Sequence, residues 1–182
     1  MKIAGIDPGL SGAVAFYEAL TGALEITDMP TLAIDRGGKA RREIDPHALA
    51  DLFWKAHCGL AILEQAWPRP NDSAQGGFKV GDGYGAIRGV LAAVGVPYTI
   101  VSPQKWKRVL GITGDKDEAR ARASQLLPQA ADQWRLKKHD GRAEAALLAL
   151  YGVREFGALA PVAPDPCVAR DLSGRPPVEP AK

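Results

Sequence analysis

The sequence begins MKIAGIDPGLSGAVA (residues 1–15), and much of the later sequence can be related to its one acid, Asp7. Residues 2–6 are mostly apolar and predict a buried strand that ends at Asp7. A Pro-Gly turn follows, and residues 10–16 are apolar again, so we predict two antiparallel strands joined by a tight turn. A carboxylate beside a hydrophobic sheet is costly unless it is paired or binds a metal ion. Asp7 is therefore either a turn cap, as Asp often is, or a functional residue.

A second apolar run also ends on a carboxylate. Residues 59–63 read GLAIL and are followed by Glu64, and a short continuous apolar run is typical of a central strand. If this strand lies beside the first one and runs parallel to it, Asp7 and Glu64 meet at one end of the sheet. A loop with two prolines then begins at Trp67.

The remaining pattern predicts an α/β domain, with a mixed five-stranded sheet and helices on its faces. We predict further strands at 24–29 and 98–101, a loop over 31–39, and a brief extension of the sheet at 42–44. Helices are predicted at 46–56, 76–95, 115–127 and 140–156, with a short one opening at Ser102-Pro103 and ending before Gly111. Residues 157–182 hold six of the 14 prolines, so we expect a domain over 1–156 and a disordered tail over 157–182.

Composition excludes several classes of protein. The chain has 182 residues, 46% hydrophobic and 24% charged, which is typical of a globular domain. It has no apolar run close to the roughly 20 residues that cross a membrane, and its first residues do not resemble a signal peptide. Cys58 and Cys167 are far apart in sequence, which argues against a zinc site or a disulfide scaffold and for a reducing cytoplasm.

The net charge of +2 conceals local basic clusters. Such clusters suit a polyanionic partner, although ordinary solvated surface charges are an alternative for any one of them. Their members are Arg36, Lys39, Arg41 and Arg42; Lys105, Lys107 and Arg108; Lys116, Arg120 and Arg122; and Arg135, Lys137, Lys138 and Arg142.

Two further acids belong to the last predicted helix. Asp140 and Glu144 are four residues apart and share a helix face. Carboxylates at a helix start are also favoured by its dipole, so Asp140 can be a simple N-cap. Glu144, however, sits within the apolar run AEAALL, which directs it toward the protein interior.

Four acids around an open site suit two-metal phosphoryl chemistry. Like charges gathered in this way repel, and oxygen-only ligands favour Mg²⁺ or Mn²⁺ as the ion that offsets the repulsion. His139 is adjacent in sequence and is either a further ligand or proton carrier, or a solvated loop histidine.

Three motifs together resemble the RuvC-type Holliday junction resolvases, closest to their phage and organellar branch. They are GIDPGLSG (residues 5–12), LEQ (63–65) and KHDGRAEA (138–145). The resemblance covers residues 1 to about 156 and implies an RNase H-like fold. It further implies a homodimer that cuts four-way DNA junctions using Mg²⁺ or Mn²⁺, with two ions per active site. The four acidic metal ligands of the family carry over to Asp7, Glu64 and Glu144, with Asp140 or His139 as the fourth.

The resemblance also implies a DNA-contacting aromatic three residues after Glu64, which is Trp67 here, with Phe78 as a second candidate. A ring held out by a proline-rich loop can stack on an unpaired base, although a Trp in such a loop can also pack on its own domain. The basic residues that we predict to contact DNA are Arg41, Arg42, Lys105, Lys107, Arg108, Lys116, Lys138 and Arg142.

Other functions fit parts of the sequence. A nuclease that acts on other branched DNA or on an RNA–DNA hybrid is the close alternative, because the fold alone does not select the substrate. An actin- or Hsp70-like ATPase also opens with an apolar strand and a GIDxG-type turn, but this chain is short for two domains and shows no second phosphate loop. A non-catalytic nucleic-acid-binding protein would be expected to lack one of the acids. The glycines of residues 81–89 lack the context of a dinucleotide fingerprint and are expected to permit close helix packing, for example across a dimer axis.

Overall fold

The fold is built around a five-stranded sheet, and the helices follow one another along the chain in the predicted order. A computed structural model describes residues 1–35, 37–38, 40–68, 72–113 and 116–157, without the side chain of Lys116. The strands are β1 (Lys2–Asp7), β2 (Ala13–Glu18), β3 (Leu24–Asp28), β4 (Thr31–Asp35), β5 (Ala40–Ile44), β6 (Leu60–Glu64) and β7 (Tyr98–Val101). The helices are α1 (Pro46–Ala56), α2 (Ala74–Ala93), α3 (Pro103–Val109), α4 (Lys116–Leu126) and α5 (Asp140–Phe156), with 3₁₀ turns at Pro128–Trp134 and Lys137–His139.

The main sheet has the strand order β3-β2-β1-β6-β7. Strands β1, β2 and β3 are antiparallel neighbours, whereas β6 runs parallel to β1 and β7 runs parallel to β6. The register of β1 and β6 pairs Ile6 with Leu63, so the acids that follow these two residues end their strands side by side. The predicted mixed sheet, and the parallel placement of the strands that end on Asp7 and Glu64, are confirmed.

Each face of the sheet is covered by helices. One core lies under α5, α3 and α4 and includes Trp106, Trp134 and Tyr151. The other lies under α1 and α2 and includes Phe16, which meets Phe53 edge to face at a centroid distance of 5.4 Å. Apolar side chains from both sides of β1 and β6 enter these two cores, which is why the sequences of both strands are almost continuously apolar.

The prediction for residues 31–44 is wrong. Instead of a loop and an extension of the sheet, β4 and β5 form a separate two-stranded antiparallel sheet, in which Thr31 pairs with Ile44. This pair of strands is called the ribbon below. Gly37 and Gly38 have φ angles of 68° and 77°, which suit a tight reversal between two strands. Because Gly-Gly is equally typical of a flexible loop, the sequence did not distinguish the two.

Helix α5 lies unusually close to β1, since β1 carries a glycine at the crossing. A Cβ added to Gly5 would lie 2.1 Å from the Ala145 carbonyl oxygen and 2.3 Å from the Ala149 nitrogen. These are backbone atoms of α5, so the helix could accept a methyl group only by moving away from the sheet. The close crossing places the first turns of α5 against the end of β1.

We expect Gly5→Ala to destabilise the fold by about 3 kcal/mol, because overpacking against a rigid backbone forces the layers apart. Urea unfolding of the variant measures this. Gly77→Ala is the matched control, since an added Cβ there would make an ordinary van der Waals contact, 3.5 Å from Pro68 Cβ, and removing a helical glycine stabilises by about 0.5–1 kcal/mol. Equal stabilities for the two variants would contradict the tight crossing of β1 and α5.

The predicted tail, residues 157–182, lies outside the described residues except for Gly157, so the division into a domain and a tail stays a prediction. Across the described helices, none combines the length and the apolar character that a membrane crossing requires.

Candidate metal centre and adjoining groove

Three elements bring three carboxylates together at one edge of the main sheet. Asp7 ends β1, Glu64 ends the parallel neighbour β6, and Glu144 lies in the second turn of α5. Side-chain oxygens of these three residues all lie within 4.8 Å of one another. Glu144 is only 6% exposed, as its place in an apolar run predicted. The arrangement follows from the two strands ending in register and from the close approach of α5 to β1.

The donor set fits a divalent cation. All three groups are carboxylates, which Mg²⁺ and Mn²⁺ prefer. The Oε2 atom of Glu64 is buried and has no hydrogen-bond partner within the described part of the chain. A buried carboxylate oxygen without a partner is costly, and coordination of a cation would remove that cost. Gly9 N lies 3.5 Å from Asp7 Oδ1, at the outer limit of a hydrogen bond.

The pKa of Glu64 is far from its ordinary value. Burial, followed by the charges of Glu144 and Asp7, raises the pKa of Glu64 from 4.5 to about 8. Lys107 opposes this shift. In the protein without metal, Glu64 therefore carries a proton near neutral pH, and a bound cation would take the place of that proton.

A lysine from α3 also reaches the carboxylates. Lys107 Nζ lies 3.0 Å from Glu144 Oε1 and 5.2 Å from the centroid of the Trp106 ring. The sequence predicted Lys107 only as a DNA contact, and its place beside Glu144 was missed. The two residues are far apart in sequence, and a lysine in a basic cluster carries no signal that it turns inward. Lys107 partly offsets the negative charge of the three acids.

The structure does not bring Asp140 or His139 into the set of three carboxylates, among the residues that it describes. Asp140 begins α5, and its Oδ1 accepts a hydrogen bond from Gly141 N at 3.0 Å. His139 ends the preceding 3₁₀ turn, has a buried Nδ1 without a described partner, and lies close enough to Asp28 to help lower its pKa. A metal-binding or proton-carrying role for either residue stays a prediction.

The helix residue nearest to Asp7 is a glycine. A Cβ on Gly141 would lie 2.8 Å from Asp7 Oδ2 and 2.7 Å from the Ser11 carbonyl oxygen. Any side chain at this position would therefore displace Asp7 or the turn after β1. Gly141 lets the first turn of α5 approach Asp7 closely, and it presents no ligand of its own.

Arg142 is held within the protein. Its Nε and one terminal nitrogen donate to the two oxygens of Asp28 at 2.5 and 2.7 Å, and its other terminal nitrogen donates to the Gln133 carbonyl oxygen at 3.2 Å. The bidentate pair lowers the pKa of Asp28 and raises that of Arg142. Arg142 thus joins the start of α5 to the end of β3, and its predicted contact with DNA stays untested.

The other predicted basic contacts differ in exposure. Lys105, Arg108 and Lys138 are exposed, and the side chain of Lys116 lies outside the described part of the chain. Arg42, on the ribbon, donates to the Leu10 carbonyl oxygen at 3.0 Å and also to Thr31 Oγ1. It therefore ties the ribbon to the turn that follows Asp7.

A groove of about 1010 Å³ leads from the carboxylates along α2. Asp7 and Glu64 line one end, and Trp67, Lys79 and Pro103 line its walls. Trp67 is 73% exposed, so it does not pack on its own domain as the alternative interpretation had it. Phe78 is 67% exposed and lines a smaller neighbouring cavity instead of the groove.

Comparison with known proteins gives a likeness of structure. No family model matches the sequence, and no curated protein matches it. The RuvC structure of Thermus thermophilus superposes with a TM-score of 0.56 at 20% identity, covering 85% of this chain and 96% of that one. The same protein in complex with a Holliday junction substrate superposes with a TM-score of 0.55 at 18% identity, covering 85% of this chain and 96% of that one. The yeast mitochondrial Holliday junction resolvase Ydc2 gives 0.50 at 16% identity, covering 84% of this chain and 77% of its own.

The chain therefore has the RNase H-like fold of the RuvC-type Holliday junction resolvases. The resemblance that three short motifs indicated is confirmed at the level of the fold. At these identities the likeness extends to architecture and not to substrate.

Proposed function

We propose that this chain is a divalent-metal-dependent endonuclease that resolves four-way DNA junctions. One observation carries the proposal: side-chain oxygens of Asp7, Glu64 and Glu144 lie within 4.8 Å of one another at the sheet edge, and two of these acids line a groove of about 1010 Å³. The RuvC-like fold and the RuvC complex with a Holliday junction favour branched DNA over other phosphodiesters.

Different side chains of the site would bind the metal ion, stabilise negative charge and bind the DNA backbone. Asp7, Glu64 and Glu144 would hold Mg²⁺ or Mn²⁺, with Asp140 or His139 as a further ligand. A bound cation supplies Lewis-acid polarisation of the phosphodiester and lowers the pKa of the attacking water. Lys107 places a positive charge beside the reacting phosphate, where negative charge develops, and its contact with Glu144 keeps it there. Exposed cations such as Lys105, Arg108 and Lys138 would bind backbone phosphates.

The direct test is incubation with a labelled four-way junction in Mg²⁺ or Mn²⁺. Duplex, flap and RNA–DNA hybrid substrates of the same sequence run in parallel. We expect paired cuts near the branch of the junction and little cleavage of plain duplex. Preference for the hybrid would support the alternative nuclease, and no cleavage together with ATP hydrolysis would support the ATPase.

We further propose that the chain acts as a homodimer, because symmetrical cuts in a four-way junction need two active sites. Gly81, Gly85 and Gly89 lie along one face of α2, and an added Cβ at each would meet no described atom within 4 Å. A second copy could approach closely there. Sedimentation equilibrium gives the mass, and a monomer at the concentration that cleaves junctions would contradict this proposal.

Trp67→Ala is expected to weaken junction binding by about 1–3 kcal/mol, the usual contribution of a base stacked on an aromatic ring. Plain duplex affinity should change little, because a paired base presents no free face. Folding should be almost unchanged, since the ring is 73% exposed. Fluorescence anisotropy in EDTA measures both affinities without cleavage.

Trp54→Ala is the matched control for this experiment. Trp54 is 60% exposed on α1 and lines neither the groove nor the smaller cavity. An equal loss of junction affinity in both variants would show that Trp67 makes no specific contact.

A further inference from the structure

A second cavity of about 320 Å³ lies between the ribbon and α2. It adjoins the groove, because Leu10, Ile44, Lys79 and Gly83 line both. A nucleic-acid strand in the groove would therefore pass its mouth. A volume near 300 Å³ is at the lower end of the range for small-molecule sites, which suits one flat ring better than a peptide or a whole nucleotide chain.

The cavity stays open because α2 has a glycine where β5 packs against it. A Cβ on Gly83 would lie 3.3 Å from Ile44 Cδ1, so a larger side chain would fill the cavity or push the ribbon away. Ile44 is buried in the core beneath α2. The ribbon and α2 therefore contact each other at Ile44 and Gly83, which both line the cavity.

Phe78 provides an aromatic wall. The ring lines this cavity, is 67% exposed, and is absent from both hydrophobic cores. An exposed aromatic ring in the wall of a cavity that adjoins the groove is suited to stacking on a base. Trp67 lines the groove and not this cavity, so the two rings offer separate stacking surfaces.

The rest of the lining is polar and charged of both signs, with Arg42 and Glu43 on the ribbon side. Arg41 and Lys79 bring positive charge to the cavity, and neither side chain forms a hydrogen bond or an ion pair within the described chain. They are available to backbone phosphates on either side of a base. Gln75 and Asp82 also line the cavity, and their amide and carboxylate groups can accept hydrogen bonds from base edges.

We propose that this cavity receives one nucleobase unstacked from the branch of a DNA junction, with its ring against Phe78. The inference rests on the proposed function, since it needs branched DNA in the adjoining groove. It adds a second base-binding position, distinct from that of Trp67 and formed in part by the ribbon.

The test is a double-mutant cycle in which the Phe78 ring and one base of the DNA junction are removed separately and together. Four-way junctions carry a single abasic nucleotide at each position near the branch, and wild type, Phe78→Ala, Phe78→Tyr and Trp67→Ala are titrated in EDTA. We expect Phe78→Ala to lose roughly 5- to 150-fold in junction affinity, and an abasic nucleotide at one position to cause a similar loss in wild type. With the abasic nucleotide at that position, Phe78→Ala should lose no further junction affinity, and Phe78→Tyr should bind as wild type does. The loss of affinity in Trp67→Ala should depend on an abasic nucleotide at a different position.

Three outcomes would overturn the assignment. A wild-type chain that neither binds nor cuts junctions overturns the proposed function and this inference with it. If the wild-type chain binds junctions, but the affinity lost in Phe78→Ala adds in full to the affinity lost at every abasic position, then only the assignment of the base-binding cavity is overturned. A Phe78→Ala variant whose sedimentation mass falls would place Phe78 in a contact between two copies of the chain, and overturns it as well.

Discussion

Asp7→Asn is expected to lower the rate of junction cleavage by on the order of a thousandfold or more, because a divalent cation supplies several kcal/mol of charge stabilisation that depends on its ligands. Asp7 belongs to the set of carboxylates within 4.8 Å and ends the central strand of the sheet. An amide keeps the shape of the side chain but loses its charge, so the cation is held weakly. Single-turnover cleavage in Mg²⁺ and in Mn²⁺ measures the loss.

Junction binding should persist in the Asp7→Asn variant. A carboxylate repels backbone phosphates, so its removal leaves the affinity in EDTA equal or slightly higher. The metal-free fold should also be no less stable, since the charge of Asp7 beside the other two carboxyl groups is gone. Asp51→Asn is the control, because Asp51 is exposed on α1 and lines neither cavity. Cleavage by Asp7→Asn at close to the wild-type rate would remove Asp7 from the metal centre.

The local features of this fold could be predicted from the sequence. Apolar runs that end on Asp7 and Glu64 gave the two central strands, and Asp45 before Pro46 gave the start of α1, where Asp45 Oδ1 accepts from His47 N and Ala48 N at 3.0 Å each. These signals lie within a few residues of the structure they specify. For that reason each acid could be placed at the end of its strand from the sequence, whereas the pairing of the two strands, which brings the acids to one sheet edge, is given by the structure.

Contacts between distant parts of the chain could not be predicted in the same way. Arg142 was expected to contact DNA, yet it pairs with Asp28, which is 114 residues away in sequence. Lys107 was expected to contact DNA, and in the structure it contacts Glu144. Residues 31–39 were expected to form a loop because of Gly37-Gly38, and residues 42–44 to extend the main sheet, yet both belong to the ribbon. In each case the partner is selected by tertiary packing, which no local pattern encodes.

The start of α5 shows the same limit. Spacing placed Asp140 on the same helix face as Glu144, and Gly141 lies against Asp7 between them in sequence. Asp140 lies outside the set of three carboxylates, and its role as a metal ligand stays a prediction. Helical periodicity locates a face to within about one residue, and that precision is too low to assign a metal ligand at a helix end.

The stability of the metal-free protein is expected to fall as pH rises from about 4.5 to about 8, which are the unfolded and folded pKa values of Glu64. Between these values the unfolded chain has lost the proton that the folded chain still holds, so the free energy of unfolding decreases with pH. One pKa unit corresponds to about 1.4 kcal/mol, so the total loss over this range is on the order of 5 kcal/mol. The cause is the burial of Glu64 beside Glu144 and Asp7, which Lys107 only partly offsets. The lowered pKa of Asp28 makes the free energy of unfolding rise with pH. It does so only below pH 3.8, the ordinary pKa of the group, and therefore outside this range.

Urea unfolding in EDTA at pH 5, 6, 7 and 8 measures this loss, with Glu64→Gln as the matched variant. The amide cannot ionise, so Glu64→Gln should show a much flatter pH dependence and should exceed wild type in stability at pH 8. Mn²⁺ should reverse the difference, since it substitutes for the proton on Glu64 and stabilises wild type more at pH 8 than at pH 5. Parallel pH profiles for the two proteins would show that Glu64 ionises normally in the fold. A Glu64→Gln variant that gained as much stability from Mn²⁺ as wild type would show that Glu64 is not a ligand. The two measurements thus separate the electrostatic strain at the sheet edge from the binding of metal that relieves it.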